Sequence, residues 1–194
     1  MALIAKAGAN VEFKMIAPWT YPARCTRIID LWTQEKEWQW KKKEIHEVVI
    51  GFEFPTELEV FNEERWEEPY FLSKYFTLSL WEKANLRKFL ETWRWKTFTQ
   101  EELDGFDLEK LIWLPALVSV IEVTTKSGVI KSIIGWATTL PKGMEVPEAI
   151  QESLVFSLEE WFDEESWNKV PEGIQEKIKL SSEYKAFEAQ DVFK

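Results

Sequence analysis

One cysteine, one histidine and seven glycines are all that 194 residues hold of three residue types on which much enzyme chemistry and most tight turns depend. The lone Cys25 excludes an intramolecular disulfide and points to a reducing, cytoplasmic setting. The lone His46 lies in a strand-like stretch on the parity of Val48 and Ile50, so a structural role is expected of it. No GxGxxG, P-loop, HExxH or paired-cysteine motif is present, and neither catalysis, a bound metal nor a cofactor is expected. No apolar run approaches about 18 residues, which removes a membrane-spanning helix from consideration. The first residues, Met1 to Lys6, lack the long apolar stretch of a signal peptide.

Tryptophan is abundant where glycine is scarce. Twelve are present, and Trp40, Trp66, Trp95 and Trp113 stand in turn contexts where glycine is expected. Acidity is unevenly spread. The formal charge is −10, but residues 1–144 carry 19 basic against 21 acidic groups, and residues 145–194 carry 5 against 13. The main body is therefore nearly neutral and has room for a local cationic surface.

Periodicity predicts a first strand over about 21–31 and a charged hairpin tip over 33–43. A second strand follows over 46–54, with His46, Val48, Ile50, Phe52 and Phe54 on one parity and Pro55 as its end. After an acidic loop over 57–68, a third strand is expected over 70–80. Ser79-Leu80-Trp81-Glu82 reads as a capping box that opens a helix with Leu86, Phe89, Leu90 and Trp93 on one side. Thr99-Gln100-Glu101-Glu102 reads as a second box, opening a helix with Leu103, Leu108, Leu111 and Ile112. The dipole of that helix accounts for Glu101, Glu102, Asp104, Asp107 and Glu109 without a metal. Strands over 116–124 and 129–137 flank a Lys126-Ser127-Gly128 turn. Beyond a linker containing Pro141, Gly143 and Pro147 lie a third capping box, Ser157 to Glu160, and a helix from Pro171 that carries Ile174 and Ile178.

Three strands, a helical segment and two strands give the element order of a five-stranded OB-like barrel, mainly β, over residues 1–144. Residues 145–194 read as an acidic, partly helical C-terminal extension. A single strand of nucleic acid needs cations for its phosphates and flat rings for its bases. Basic and aromatic side chains interleave at Arg27, Trp38, Trp40, Lys41, Lys42, Lys43, Lys74, Tyr75, Lys126 and Lys131, which form the expected contact surface.

Several stretches support this. Ser73-Lys74-Tyr75-Phe76-Thr77-Leu78-Ser79-Leu80 with Glu82-Lys83-Ala84-Asn85-Leu86-Arg87-Lys88 resembles proteins of bacteriophage replication and recombination modules. So do the run from Phe98 to Ile112, Leu140-Pro141-Lys142-Gly143-Met144 and the segment from Phe162 to Ile178. The resemblance implies an OB-type protein that binds single-stranded DNA in phage or prophage DNA metabolism. It further implies that the acidic extension recruits other replication or recombination proteins. Two alternatives use the same residues: an adaptor that grips a protein through exposed tryptophans and its acidic end, and a carbohydrate-binding module whose indoles stack on sugar rings.

Overall fold

Alternation between apolar and polar side chains from His46 to Phe54 builds a strand with one face in an apolar core, and the rest of the sheet assembles round it. The computed structural model describes residues 14–38, 40–61, 66–157 and 163–191. The strands are β1 (Thr20–Trp38), β2 (Lys41–Glu59), β3 (Glu68–Thr77), β4 (Pro115–Thr124), β5 (Ile130–Thr138) and β6 (Leu154–Phe156). The helices are α1 (Asn85–Arg94), α2 (Gln100–Asp104), α3 (Glu164–Lys169), α4 (Glu172–Lys179) and α5 (Ser182–Asp191), with a 3-10 turn at Leu108–Leu111. The protein is mainly β, as expected. Its open, six-stranded sheet runs β3-β2-β1-β4-β5 with antiparallel neighbours, and β6 lies parallel to β1. Among the described residues no helix is long and apolar enough to cross a membrane.

Strand β1 organises the sheet. It pairs with β2 along one edge, while its other edge holds β4 over Thr20–Arg24 and β6 over Arg27–Ile29. Register shifts at Cys25/Arg27 and Asp30/Trp32 mark two bulges, which bend the strand. Side chains from β1 to β5 share one core: Cys25 and Ile28, Ile50 and Phe52, Phe76, Val118, and Ile134. Helix α1 joins it through Leu86, Phe89, Leu90 and Trp93, the four positions its spacing predicts. The edge strands β3 and β5 approach without a ladder. Lys74 Nζ spans the gap, donating to the carbonyls of Ile134 (2.6 Å) and Gly135 (3.2 Å).

A second core lies on the opposite side of β1 and β2. Ile29, Leu31, Trp32 and Val49 meet Leu154, Phe156, Trp167, Val170, Ile174, Ile178 and Tyr184. The residues after 144 thus fold back as strand β6 and helices against the sheet, and Ile174 and Ile178 are buried there as their spacing suggests. Polar ties reinforce the attachment. The Glu53 carboxylate, fully buried, accepts the backbone N–H groups of Ile150 (2.6 Å) and Gln151 (3.0 Å). Arg24 donates to the carbonyls of Val146 and Pro147.

Several expectations need correction. The segment 33–43 is not a loop-like tip, because β1 runs on to Trp38 and β2 starts at Lys41, and these two residues pair. Pro55 does not end β2; the register shifts between Phe54 and Leu58 and pairing resumes with Pro69 and Glu68. A proline lacking its N–H fits such an irregularity. Strand β3 stops at Thr77 rather than 80, and Ser79 caps no helix: its Oγ accepts the Trp81 N–H, while α1 begins at Asn85 behind an uncapped Ala84. The Thr99 box forms as expected, with Thr99 Oγ1 and Glu102 satisfying each other's amides. Its helix is only five residues long, and Leu108 and Leu111 belong to a separate 3-10 turn capped by Asp107. The box expected at 158–160 lies outside the described residues, and Asp163 caps α3 by accepting from Glu165 and Ser166.

Candidate nucleic-acid interface

Beyond the row where Glu47 meets Thr77, the β1–β2 ribbon has no third strand beside it among the described residues and continues alone to Trp38 and Lys41. Register sorts its charges. Directly opposed residues share a face, so the pairs Lys36↔Lys43 and Trp38↔Lys41 place three lysines on one side. The pairs Glu35↔Glu44 and Glu37↔Lys42 place three glutamates on the other. Lys42 faces that acidic side and is bound to Glu35 at 2.6 Å, a contact that raises its pKa. Lys36 reaches Glu47 at 2.5 Å. Lys41 and Lys43 are exposed and have no carboxylate partner among the described residues. Like charges directly opposite one another destabilise a ribbon. This one accepts that twice, in the pairs 36–43 and 35–44, where an exchange of partners would remove it.

By parity Lys41 and Lys43 share a side of β2 with Glu47, Val49 and Gly51, the side on which the second core covers Val49. Tyr75 sits opposite Val49 on that face, roughly 25 Å from Lys41 at about 3.3 Å per residue. Its ring is partly exposed and carries the Lys177 ammonium at 4.0 Å from the centroid. Burial raises the Tyr75 pKa, so the phenol stays neutral. Two rows further on, Arg27 lies over the Phe71 ring at 3.9 Å and donates to Gln151 Oε1. Gly51 makes room for that pair: a Cβ there would come within 2.3 Å of Phe71 Cζ.

The expected site residues therefore separate. Lys41, Lys43 and Tyr75 share one side of the sheet, with Trp40 at the turn and 93% exposed. Trp38 pairs with Lys41 by register, and its side chain lies outside the described residues. Lys42 points the other way. Arg27 is half-buried between Phe71 and Gln151, and burial lowers its pKa. Lys74 is spent on the β3–β5 gap, and desolvation likewise lowers its pKa. Lys126 and Lys131 are exposed at the β4–β5 hairpin and, among the described residues, do not touch the other lysines. Three residues near the site escaped the sequence reading: Lys177 on α4, and Lys88 and Trp136, which flank a cleft beside Tyr75. Helical spacing of Asn85, Lys88 and Thr92 was available as a signal for the second; nothing in the sequence announced the approach of α4.

The chemistry-bearing groups elsewhere are quiet. Burial pushes the Cys25 thiol up to about 12, so no thiolate forms near neutral pH. His46 Nε2 lies 2.6 Å from Asp30 Oδ1, and Ser157 Oγ donates to the other oxygen of that carboxylate at 3.5 Å. Among the described residues no three His, Cys, Asp or Glu side chains group as a metal site. The chain matches no family model, and neither a curated protein nor a solved structure matches it.

Proposed function

We propose that this chain binds single-stranded DNA with little regard to sequence, as its resemblance to phage replication and recombination proteins implies. The charge-sorted ribbon carries the reading. A polyanion laid along Lys41 and Lys43 relieves their mutual repulsion, and the partly exposed Tyr75 ring stands on the same side of the sheet. The strand order β3-β2-β1-β4-β5, a helical segment between β3 and β4, and Lys74 bridging β3 to β5 support an OB-like barrel as the scaffold. Recruitment of replication or recombination proteins then falls to the exposed sides of α4 and α5.

Titration with oligo-dT at two salt concentrations, followed by tryptophan quenching, tests the reading. Binding should weaken steeply with salt. Changing Lys41 and Lys43 together to Ala should lower the log–log slope by about 1.4, at about 0.7 per phosphate contact of a single strand. Changing Lys42, which faces Glu35, should leave the slope where it was. Equal slopes in all three proteins would remove the ribbon from the interface. Binding to oligosaccharide that ignores salt would favour the carbohydrate reading instead.

A further inference from the structure

A cleft of about 530 Å³ opens between β3, α1 and β5, beside the gap that Lys74 spans. Its volume falls inside the range of about 300–1,000 Å³ typical of small-ligand sites. Helix α1 supplies one wall, where Asn85, Lys88 and Thr92 recur at helical spacing. Strand β5 supplies the other with Trp136, 46% exposed, and Tyr75 stands at the rim, 42% exposed. Buried Phe76 and Phe89 lie behind them. The chain carries 34 acidic residues, yet no carboxylate lines this cleft. Lys88 is exposed and makes no hydrogen bond or ion pair through its ammonium among the described residues, and the Trp136 indole N–H has no acceptor there.

A pair of accessible rings, an unpaired ammonium and a side-chain amide form a set with one obvious complement. We infer that the cleft holds a single nucleotide, its base against Trp136 or Tyr75 and its phosphate at Lys88. Asn85, with both donor and acceptor atoms, meets a base edge or sugar hydroxyl. The inference rests on the single-strand reading and deepens it: one nucleotide of the bound strand turns past Tyr75 into the cleft. Because the pocket is bounded on three sides, it takes a mononucleotide as well as a nucleotide within a strand.

Thymidine 5′-monophosphate and oligo-dT, each titrated against the full chain, separate the two claims. The mononucleotide should quench part of the tryptophan fluorescence in the wild type. Lys88→Gln should weaken mononucleotide binding about tenfold, as should Trp136→Ala, the scale expected for one lost stacking partner. Trp136→Phe should keep the affinity and lose most of the quench. The Lys41/Lys43 double variant should bind the mononucleotide normally. If Lys88→Gln and Trp136→Ala match the wild type with both ligands while the ribbon variant still flattens the salt slope, the cleft assignment is wrong and the DNA reading stands. If the wild type binds neither ligand, both are wrong. Should Trp136→Ala fail to fold, Lys88→Gln, an exposed substitution, decides alone.

Discussion

A chain cut after Met144 should fail to reach a stable fold. The cut removes β6 and α3 to α5, and leaves Ile29, Leu31, Trp32 and Val49 facing water. Each is 4% exposed or less in the full chain. At about 1.5–3 kcal/mol for burying one large apolar side chain, four of them amount to roughly 6–12 kcal/mol. A typical domain has only about 5–15 kcal/mol of total stability, so the deficit approaches the whole. Loss of the amides of Ile150 and Gln151 further strips Glu53 of its partners. Expression of residues 1–144, followed by solubility and a thermal melt, checks this. A soluble fragment melting cooperatively within a few degrees of the full chain would show that the second core is dispensable. The same arithmetic makes the acidic segment a packed part of the fold rather than a loose tail. Its helices are anchored by the second core, and Lys177 holds α4 against Tyr75.

Glycine in place of Trp40 and Trp95 should stabilise the protein by about 2 kcal/mol in all. These residues have φ of 64° and 52°, in the left-handed region where a side chain costs about 1–2 kcal/mol. Trp95 shows why the conformation is imposed. It follows the last turn of α1, where its N–H reaches Thr92 O and the Lys96 N–H reaches Glu91 O, an arrangement that glycine ordinarily completes. Exposures of 93% and 77% mean that little burial is lost with the indoles. Glycine's greater freedom in the unfolded chain takes back part of each gain, leaving about 1 kcal/mol per site. The two turns lie apart and should add. For a chain of this size that is about 4–8 °C in melting temperature. A melting point unchanged or lower in the double variant would mean that the indoles make contacts outweighing the strain. Trp113 and Trp32, with φ of 66° and 58°, are left out of the set, because Trp113 is more than half buried and Trp32 lies in the second core, where its loss would open a cavity.

These turns also show what the sequence made legible. Unusual tryptophans in glycine-like contexts flagged Trp40, Trp95 and Trp113 correctly, since composition and turn chemistry are local. Trp66 is exposed but is not among the residues with positive φ, and Trp32 went unflagged because its bulge is created by strand pairing rather than by a turn signal. The second strand and the α1 face were readable from spacing because each buries one side. The ribbon was not: apart from Trp38 and Trp40, residues 35–44 are polar on both faces, so period-2 alternation had little apolar contrast to register. Lysines at 41, 42 and 43 looked alike as a cluster, and only cross-strand register divides them between two faces. The fold-back of the last fifty residues was legible only at Ile174 and Ile178, because a three-residue strand is too short to carry a pattern.

The route of β1 has a consequence in time. Its edge beyond Arg24 is filled by a strand from near the other end of the chain, and Arg27 meets Gln151 across 124 positions. Closing so long a loop is slow compared with forming the β1–β2 hairpin, whose partners are neighbours in sequence. During synthesis the first five strands emerge well before β6 and the helices that cover Ile29, Leu31 and Val49. Refolding should therefore show an early phase for the sheet and a later one for the C-terminal helices, with dye-binding apolar surface exposed between them. A nascent chain passes through the same interval, and the outer face of its sheet is then open to whatever else in the cell binds apolar surface.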